Sequence, residues 1–170
     1  MTLTELAFIA LGSNIDPETN LPLASARLSE LGKIIAASMV YQNPAIAGVP
    51  QPDYLNAAIL IQTTLDPLAI RDKLREIEAN LGRVRTEDKF APRTIDLDLC
   101  LLGDRVLEHE LLSLPDPDLL ERPYLATTLA ELQLDFPHPI TGDPLEEIAN
   151  KFQKDTELKP RSDVVLLSYG

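Results

Sequence analysis

A short alternating stretch, Ile95-Asp96-Leu97-Asp98-Leu99, constrains the fold of this chain more than any other. Residues i and i+2 of a β-strand point to the same face, so the alternation predicts a strand with Ile95, Leu97 and Leu99 turned to a core. Asp96 and Asp98 then stand side by side on the opposite face, where their like charges repel each other. Aspartate is also disfavoured in strands, so we expect a partner that offsets this cost, and a divalent cation is one such partner.

The residues directly before this strand are basic, although the chain as a whole is acidic. Arg83, Arg85, Lys89 and Arg93 belong to a chain of 170 residues with a net charge of -12 at pH 7. Arginine matches phosphate in a two-pronged geometry, and Mg²⁺ is typically held by one or two carboxylates together with substrate phosphates. The combination is typical of phosphoryl transfer. On pattern alone, a solvated strand face for the aspartates and a solvated loop for the arginines remain open alternatives.

The composition predicts one globular domain with its own core. Hydrophobic residues make up 45% and charged residues 25% of the chain, which is ordinary for such domains. The acidic balance argues against general binding to nucleic acid or to anionic membranes. The single cysteine, Cys100, allows no disulfide within the chain and is expected to be a buried thiol. We recognise no signal peptide and no apolar run of about 20 residues, so we expect a cytoplasmic protein.

Hydrophobic periodicity along the chain predicts strands that alternate with helices. Strands are expected over residues 6–11, 33–41 and 55–64, and helices over 17–31 and 67–81, each helix preceded by an aspartate and followed by a glycine. With the strand at 95–99, this βαββαβ order predicts an α+β fold with a ferredoxin-like core and a mainly antiparallel sheet, followed by an extra hairpin and C-terminal helices. We expect a single domain over residues 1–153 and a C-terminal tail over 154–170 that adds an edge strand or contacts another subunit.

Three local features complete the predicted architecture. Gly12-Ser13-Asn14 is interpreted as a turn after the first strand, and Gly103-Asp104 as the turn of the hairpin. The second helix has an apolar stripe, and its opposite face is polar, with Arg71, Arg75, Glu76 and Glu78.

The stretch from Lys89 to Leu99, Lys-Phe-Ala-Pro-Arg-Thr-Ile-Asp-Leu-Asp-Leu, resembles the signature of the 6-hydroxymethyl-7,8-dihydropterin pyrophosphokinase family. The resemblance extends from Ala7 to about Ile148. It implies transfer of pyrophosphate from ATP to the hydroxymethyl group of the pterin, with release of AMP, in folate biosynthesis. It also implies that Asp96 and Asp98 hold two Mg²⁺ ions, with ATP as co-substrate, and that Arg83 and Arg93 stabilise phosphate charge.

The resemblance implies two further sets of binding residues. The pterin set comprises Asn43, Pro44, Ile46, Tyr54, Asn56 and Tyr124, with the two tyrosines stacking on the ring and Asn56 binding its polar edge. The nucleotide set comprises Glu78, Arg85, Phe90, Leu99, Ser113 and Arg122. Taken alone, a tyrosine before a strand is more typical of a core edge, and an asparagine in a loop of a cap or turn.

Three positions depart from the family pattern. Asp116 stands where the family often has a histidine that contacts nucleotide phosphate, Leu111 replaces a basic residue, and Arg75 replaces an amide. Because a carboxylate repels phosphate, we expect altered ATP affinity, with each lost contact costing about 1–3 kcal/mol. His109 is a candidate for compensation.

Two other functions are alternatives to the pyrophosphokinase activity. Asp116 and Leu111 would also fit a degenerate member that binds pterin or nucleotide without efficient turnover. A ferredoxin-like module that binds single-stranded nucleic acid would stack bases on aromatic side chains, but the chain has only four Phe, four Tyr and no Trp. The expected partners are therefore ATP and the pterin alcohol, without nucleic acid or membrane; the oligomeric state is open, with a monomer among the options.

Overall fold

A computed structural model describes residues 3–45, 50–88, 90–154 and 157–166. The strands are β1 (Glu5–Ser13), β2 (Lys33–Ala37), β3 (Tyr41–Asn43), β4 (Tyr54–Thr63), β5 (Asp96–Leu102), β6 (Leu107–His109), β7 (Leu112–Leu114) and β8 (Lys159–Pro160). The helices are α1 (Pro17–Arg27), α2 (Pro67–Asn80), α3 (Pro123–Leu132) and α4 (Leu145–Asn150), with 3₁₀ turns at Leu28–Glu30 and Pro117–Leu120. The elements mix helix with sheet, as predicted for an α+β fold.

The main sheet has the strand order β5-β1-β4-β3-β8, with β2 also paired to β4, and neighbouring strands are antiparallel. The predicted second strand is divided into β2 and β3, which both lie along β4. Ser38 lies between them and stays bonded to β4, since its N–H donates to the Ala58 carbonyl (2.9 Å) and its hydroxyl accepts the Ala58 N–H (2.8 Å). Counted as one interrupted strand, this segment completes the predicted βαββαβ order.

Both faces of the sheet are covered by helices. One core cluster contains Leu21 of α1 and Leu74 of α2, and the other contains Leu129 of α3 and Ile148 of α4. Strand β4 contributes to both clusters, because alternate residues point to opposite faces. Its apolar sequence is therefore nearly continuous, as is usual for a strand buried on both sides.

Two turns differ from the predictions. Gly12 and Ser13 belong to β1 and form no turn, since Gly12 pairs with Asn56 of β4 and with Asp96 of β5. Gly103 and Asp104 do form a turn, since the Arg105 N–H donates to the Leu102 carbonyl (3.1 Å), but it does not lead into a hairpin with β5, because β6 pairs with β7 in a separate two-stranded sheet. Arg105 forms an ion pair with Glu5 of β1 (2.7 Å), which holds the chain across the start of β1 and away from the edge of β5.

The described part of the C-terminal tail packs on the same domain. Strand β8 extends the sheet beyond β3, and the Arg161 N–H donates to the Val40 carbonyl (2.8 Å). Val164 and Leu166 are each 8% exposed and join the cluster under α1. The predicted edge strand is thus present, while the division of the chain at residue 153 stays a prediction. Within the described ranges, none of the helices combines the length and apolar character needed to cross a membrane.

Candidate active site

A cleft of about 300 Å³ opens at the end of the sheet where β1, β4 and β5 lie side by side. Gly12 marks this end, because it pairs with Asn56 on one side and Asp96 on the other. Ten predicted site residues line the cleft: Asn43, Pro44, Tyr54, Asn56, Phe90, Arg93, Asp96, Asp98, Arg122 and Tyr124. Residues as far apart in sequence as Asn43 and Tyr124 are thereby brought to one surface.

The two aspartates stand on the cleft face of β5, as the alternation predicts. Leu97 and Leu99 between and beyond them are 0% and 3% exposed, whereas Asp96 and Asp98 are open to the cleft. Partial burial, reinforced by the negative charge of Asp96, raises the pKa of Asp98 to about 7. Because 44% of the Asp98 side chain is accessible, solvent moderates this effect. The pair therefore disfavours two full charges unless a cation is close.

Arginines hold the oxygens of Asp96. Arg83 Nη1 lies 3.0 Å from Asp96 Oδ1, and Arg93 Nη1 lies 2.6 Å from Asp96 Oδ2. Arg75 Nη2 lies 3.4 Å from Asp98 Oδ1. The predicted adjacency of arginines and carboxylates is thus present in three dimensions, and the arginines occupy the positions where a cation would neutralise the aspartates.

Glu78 was predicted on the polar face of α2, but it is only 2% exposed and lies beneath these arginines. Its carboxylate accepts hydrogen bonds from Arg75 Nη1 (3.1 Å), Arg83 Nη1 (2.8 Å), Arg85 Nη2 (2.8 Å) and the Leu97 N–H (2.8 Å). A carboxylate is buried only when its charge is paired and its oxygens are hydrogen-bonded. Glu78 therefore anchors the arginine cluster to the backbone of β5.

The carboxylates at the cleft suit a metal ion whose remaining ligands come from its substrate. In the described part of the chain, no group of three or more His, Cys, Asp or Glu side chains is arranged to hold a metal ion. Asp96 and Asp98 instead offer hard carboxylate oxygens at a cleft floor, and Mg²⁺ commonly takes its remaining ligands from water and substrate phosphates.

The described members of the pterin set lie together at the opposite wall of the cleft. Asn56 Nδ2 donates to Asn43 Oδ1 (2.6 Å), which orients both amides, and both residues are 8% exposed. Burial raises the pKa of Tyr54 and raises that of Tyr124 to about 12, so both phenols are neutral near pH 7. Ile46 lies outside the described residues.

Asn14, which was predicted as part of a turn, and Gln51, which the sequence did not single out, connect the loops around the cleft. The Asn14 side chain is 3% exposed; its amide donates to Gln51 Oε1 (2.6 Å) and its oxygen accepts the Arg93 N–H (2.8 Å). Gln51 Nε2 in turn donates to the Phe90 carbonyl (2.8 Å). The loop before β4 and the arginine loop are thus tied together. The sequence signal at Asn14 was the Gly-Ser-Asn triplet, and no signal identified Gln51.

A second cavity of about 180 Å³ adjoins the cleft and shares Asp98 and Asp116 with it. Leu99 and Ser113 of the nucleotide set line this cavity, as do Arg75 and Leu111. Arg83, Arg85 and Glu78 line neither cavity; the side chains of Glu78 and Arg83 are 2% and 7% exposed, whereas that of Arg85 is 54% exposed. His109 lines neither cavity either, and its Nδ1 accepts the Leu111 N–H (3.1 Å).

Asp116 has a local structural role. Its Oδ1 accepts the Asp118 N–H (2.9 Å) and caps the 3₁₀ turn. Burial raises the pKa of Asp116 and raises that of the neighbouring Cys100 thiol well above its usual value, so Cys100 is the buried thiol predicted. Arg71 also lines the second cavity, and its Nε has no hydrogen-bond partner.

Comparison with known proteins agrees with this geometry. The sequence profile of the 7,8-dihydro-6-hydroxymethylpterin-pyrophosphokinase (HPPK) family matches residues 8–134. The 2-amino-4-hydroxy-6-hydroxymethyldihydropteridine pyrophosphokinase of Haemophilus influenzae is 33% identical over 156 residues, which cover 90% of this chain and 96% of that protein. The chain therefore belongs to the 7,8-dihydro-6-hydroxymethylpterin-pyrophosphokinase family.

Longer proteins contain a similar region. The folic acid synthesis protein fol1 of Pneumocystis carinii is 36% identical over 160 residues, which cover 92% of this chain but only 21% of that protein. A crystal structure of wild-type Plasmodium falciparum HPPK-DHPS with pterin and p-hydroxybenzoate superposes with a TM-score of 0.69 at 16% identity, over 89% of this chain and 44% of that one. This structural likeness concerns the fold alone. The chain spans about a fifth of the fungal relative and less than half of the Plasmodium chain.

Proposed function

We propose that the chain is an ATP-dependent pyrophosphokinase that transfers pyrophosphate to the hydroxymethyl group of 6-hydroxymethyl-7,8-dihydropterin, as a step of folate synthesis. The observation that carries this proposal is the joining, in one cleft, of the paired carboxylates of β5, Arg93 and the side chains of the pterin set. Membership of the pyrophosphokinase family supports the same reaction.

The reaction requires alignment of two substrates and neutralisation of charge. The hydroxymethyl oxygen attacks the β-phosphorus of ATP, the bond from that phosphorus to the bridging oxygen of the α-phosphate breaks, and AMP leaves. No protein nucleophile is involved, so holding the reacting atoms in line and stabilising the phosphate charge supply the catalysis.

Asp96 and Asp98 are the proposed ligands of two Mg²⁺ ions. Mg²⁺ held by these two carboxylates would supply positive charge that neutralises the ATP phosphates. Arg83 and Arg93 hold the Asp96 oxygens in the described structure, so a cation at Asp96 would release them. Once released, the two guanidinium groups would be available to bind the phosphates, while Arg83 stays paired with Glu78 (2.8 Å).

The pterin would lie between Tyr54 and Tyr124, with its polar edge against Asn56 and Asn43. Stacking suits a planar heterocycle, and an amide both donates and accepts. Pro44 closes the same wall of the cleft, and Ile46 is retained as a proposed member of this set. These residues are 40 or more positions before the aspartates, except Tyr124, so two separate parts of the chain would bind the two substrates.

ATP would extend from the metal pair into the second cavity. Leu99 and Ser113 line that cavity, Phe90 and Arg122 line the cleft, and Arg85 is paired with the buried Glu78. Arg71 and Arg75 bring positive charge to the second cavity, where Asp116 brings negative charge. We therefore retain the proposal that the departures change ATP affinity without abolishing activity. A degenerate member without turnover is not favoured by any observation, because all described residues of the metal and pterin sets line the cleft.

Several finer points belong to this proposal. The strand order and the βαββαβ sequence of elements support a ferredoxin-like description of the sheet. The acidic net charge of -12 supports small-molecule partners without nucleic acid or membrane, and a cytoplasmic location suits a folate enzyme.

The test is AMP formation from ATP, Mg²⁺ and the pterin alcohol, with Asp96→Ala/Asp98→Ala as the comparison. The proposal expects AMP from the wild type and none above background from the double variant. Absence of AMP with the wild type would contradict the proposed activity.

A further inference from the structure

Arg161 connects the C-terminal tail to β3, the strand that ends at Asn43 of the pterin set. Its backbone N–H donates to the Val40 carbonyl (2.8 Å), directly after β8. Its Nε and Nη2 pair with Asp163 (2.9 and 2.8 Å), which fixes the direction of the guanidinium group. Nη2 also lies 3.4 Å from Glu18 of α1. Arg161 is therefore held at the point where the tail, α1 and β3 meet.

The third nitrogen of this guanidinium group, Nη1, donates to a side chain of β3. Arg161 Nη1 donates to Gln42 Oε1 (2.9 Å), and Gln42 Nε2 donates to Asp53 Oδ2 (3.0 Å). Because Arg161 donates to the amide oxygen, the amide nitrogen of Gln42 must point the other way, toward Asp53. Arg161 thus selects the orientation in which Gln42 bonds across the strand pair.

Gln42 and Asp53 sit at the base of the loop that leads from β3 to β4. Each directly precedes a residue of the pterin set, Asn43 and Tyr54, and these two are paired in the β3–β4 register. Asn43 in turn accepts the hydrogen bond from Asn56 (2.6 Å). A short chain of hydrogen bonds therefore runs from the tail to the backbone that carries three pterin-set side chains.

We propose that Arg161 is a positioning residue for pterin binding. In this proposal, β8 and the residues after it stabilise the ends of β3 and β4 that carry Asn43 and Tyr54; we call this support the brace. This inference rests on the proposed function, because it takes the pterin to bind at Asn43, Tyr54 and Asn56. Arg161 touches no substrate in this account. It acts by holding Gln42, and through Gln42 and Asp53 it fixes the two strand ends from which the pterin set projects.

The positive charge of Arg161 is paired with nearby side chains and does not bind the phosphates. Its partners are Asp163, Glu18 and Gln42, and it lines neither the cleft nor the second cavity. The brace should therefore change binding of the pterin and leave binding of the nucleotide unchanged.

The experiment measures two dissociation constants by calorimetry, for the Mg²⁺ complex of α,β-methylene-ATP and then for the pterin alcohol in its presence. Neither measurement needs turnover. In the full chain, Arg161→Ala should weaken pterin binding about 5- to 10-fold, the worth of one hydrogen bond. The nucleotide constant should stay within about a factor of two of the wild type.

A control separates positioning from general weakening of the tail. Val164→Ala removes buried contacts of the same segment but leaves the bonds of Arg161 to Gln42 in place. It should lower the free energy of unfolding without weakening pterin binding. A double-mutant cycle adds a second readout: in the Gln42→Leu background, Arg161→Ala should cause no further loss of pterin affinity.

The outcomes distinguish this inference from the proposed function. Wild-type protein that binds no pterin would overturn both. Wild-type binding with an unchanged pterin constant in Arg161→Ala would overturn the brace alone. Equal losses from Arg161→Ala and Val164→Ala, or full additivity in the cycle, would also overturn it, because the effect would then be general to the tail.

Discussion

Gly12 illustrates how closely the backbone approaches the proposed pterin site. A Cβ atom on Gly12 would lie 2.8 Å from Asn56 Oδ1, which is shorter than a normal contact. The nearest atom belongs to a side chain, so the Asn56 amide would move while the strand pairing of Gly12 remains. The absence of a side chain at Gly12 is therefore what allows Asn56 to face the cleft.

We predict that Gly12→Ala folds but binds the pterin about 5- to 10-fold more weakly, because displacement of Asn56 breaks its hydrogen bond to Asn43. Fluorescence titration with the pterin alcohol measures this change. Thermal unfolding of the variant is the internal control, because the strand pairing of Gly12 with Asn56 and Asp96 should remain. An unchanged pterin constant would contradict the assignment of Asn56.

Asp98 gives the metal-free protein a characteristic pH dependence. Its pKa is raised from 3.8 to about 7 in the folded protein, so the folded state retains a proton that the unfolded chain has lost. Stability falls with pH wherever the folded state binds more protons. Ionisation of Asp98 therefore costs stability as the pH rises from about 4 to about 7, and the cost levels off above that range.

The comparison of wild type with Asp98→Asn isolates this effect. In chelator, thermal unfolding should show the variant gaining stability relative to the wild type as the pH rises through this window, and a constant difference above it. The side chain at position 98 is neutral in the variant at every pH, so the other carboxylates provide the common background. A difference that does not vary with pH would contradict the raised pKa of Asp98.

At the scale of elements, α2 and β5 are joined by Glu78. This carboxylate pairs with three arginines and accepts the Leu97 N–H, so it links the helix, the arginine loop and the aspartate strand. Because Arg83 is itself only 7% exposed, loss of the Glu78 charge would leave a buried cation with fewer partners.

We predict that Glu78→Gln lowers the free energy of unfolding by about 3 kcal/mol, measured by urea denaturation. Glu76→Gln is the matched control in the same helix: it removes the same charge, but Glu76 is 55% exposed and forms an ion pair with Lys73 at 3.5 Å. Its cost should stay below about 0.5 kcal/mol. Equal effects of the two substitutions would contradict the anchoring role of Glu78.

The same elements show what the sequence could and could not predict. The burial of Leu97 and Leu99 between exposed aspartates follows from local alternation, which a strand of any topology preserves. Glu78 lies four positions after Leu74, beside the apolar stripe, and its charge led to the wrong prediction of a polar face. Its burial depends on arginines up to seven positions away, two of them in a loop whose path is not local information. Similarly, Gly103 has the residue type of a hairpin turn, but the ion pair of Arg105 with Glu5 directs the chain elsewhere.

For the candidate site, the residues that bind through chemistry were easier to predict than those that connect loops. Carboxylates, arginines and tyrosines stood out by type and by resemblance to the family. Gln51 connects two loops through hydrogen bonds at both ends of its amide, and neither partner is near it in sequence. Such a role depends on tertiary approach alone.

At the scale of the whole molecule, the tail completes the core under α1 as well as the edge of the sheet. Ser25 donates its hydroxyl hydrogen to the Leu166 carbonyl (2.7 Å), so a polar group of α1 is satisfied by the tail. Val164 is 8% exposed in this interface, whereas the neighbouring Val165 is 64% exposed.

We predict that Val164→Ala lowers the free energy of unfolding by about 1–2 kcal/mol, because two buried methyl groups are lost. Val165→Ala makes the same chemical change one position along and should cost less than about 0.5 kcal/mol. Chemical denaturation of both variants checks this difference. If the two values coincide, the tail does not pack on the domain in solution.

We propose that this protein transfers a pyrophosphoryl group, and the fate of the β-phosphorus of ATP is the most direct test. ATP labelled at the β-phosphorus is incubated with Mg²⁺, the pterin alcohol and the protein, and the products are separated by chromatography. If the pterin hydroxyl attacks the β-phosphorus, the β-label moves to the pterin and unlabelled AMP is released. Label retained in ADP would mean transfer of the γ-phosphoryl group alone, and would contradict the proposed attack at the β-phosphorus.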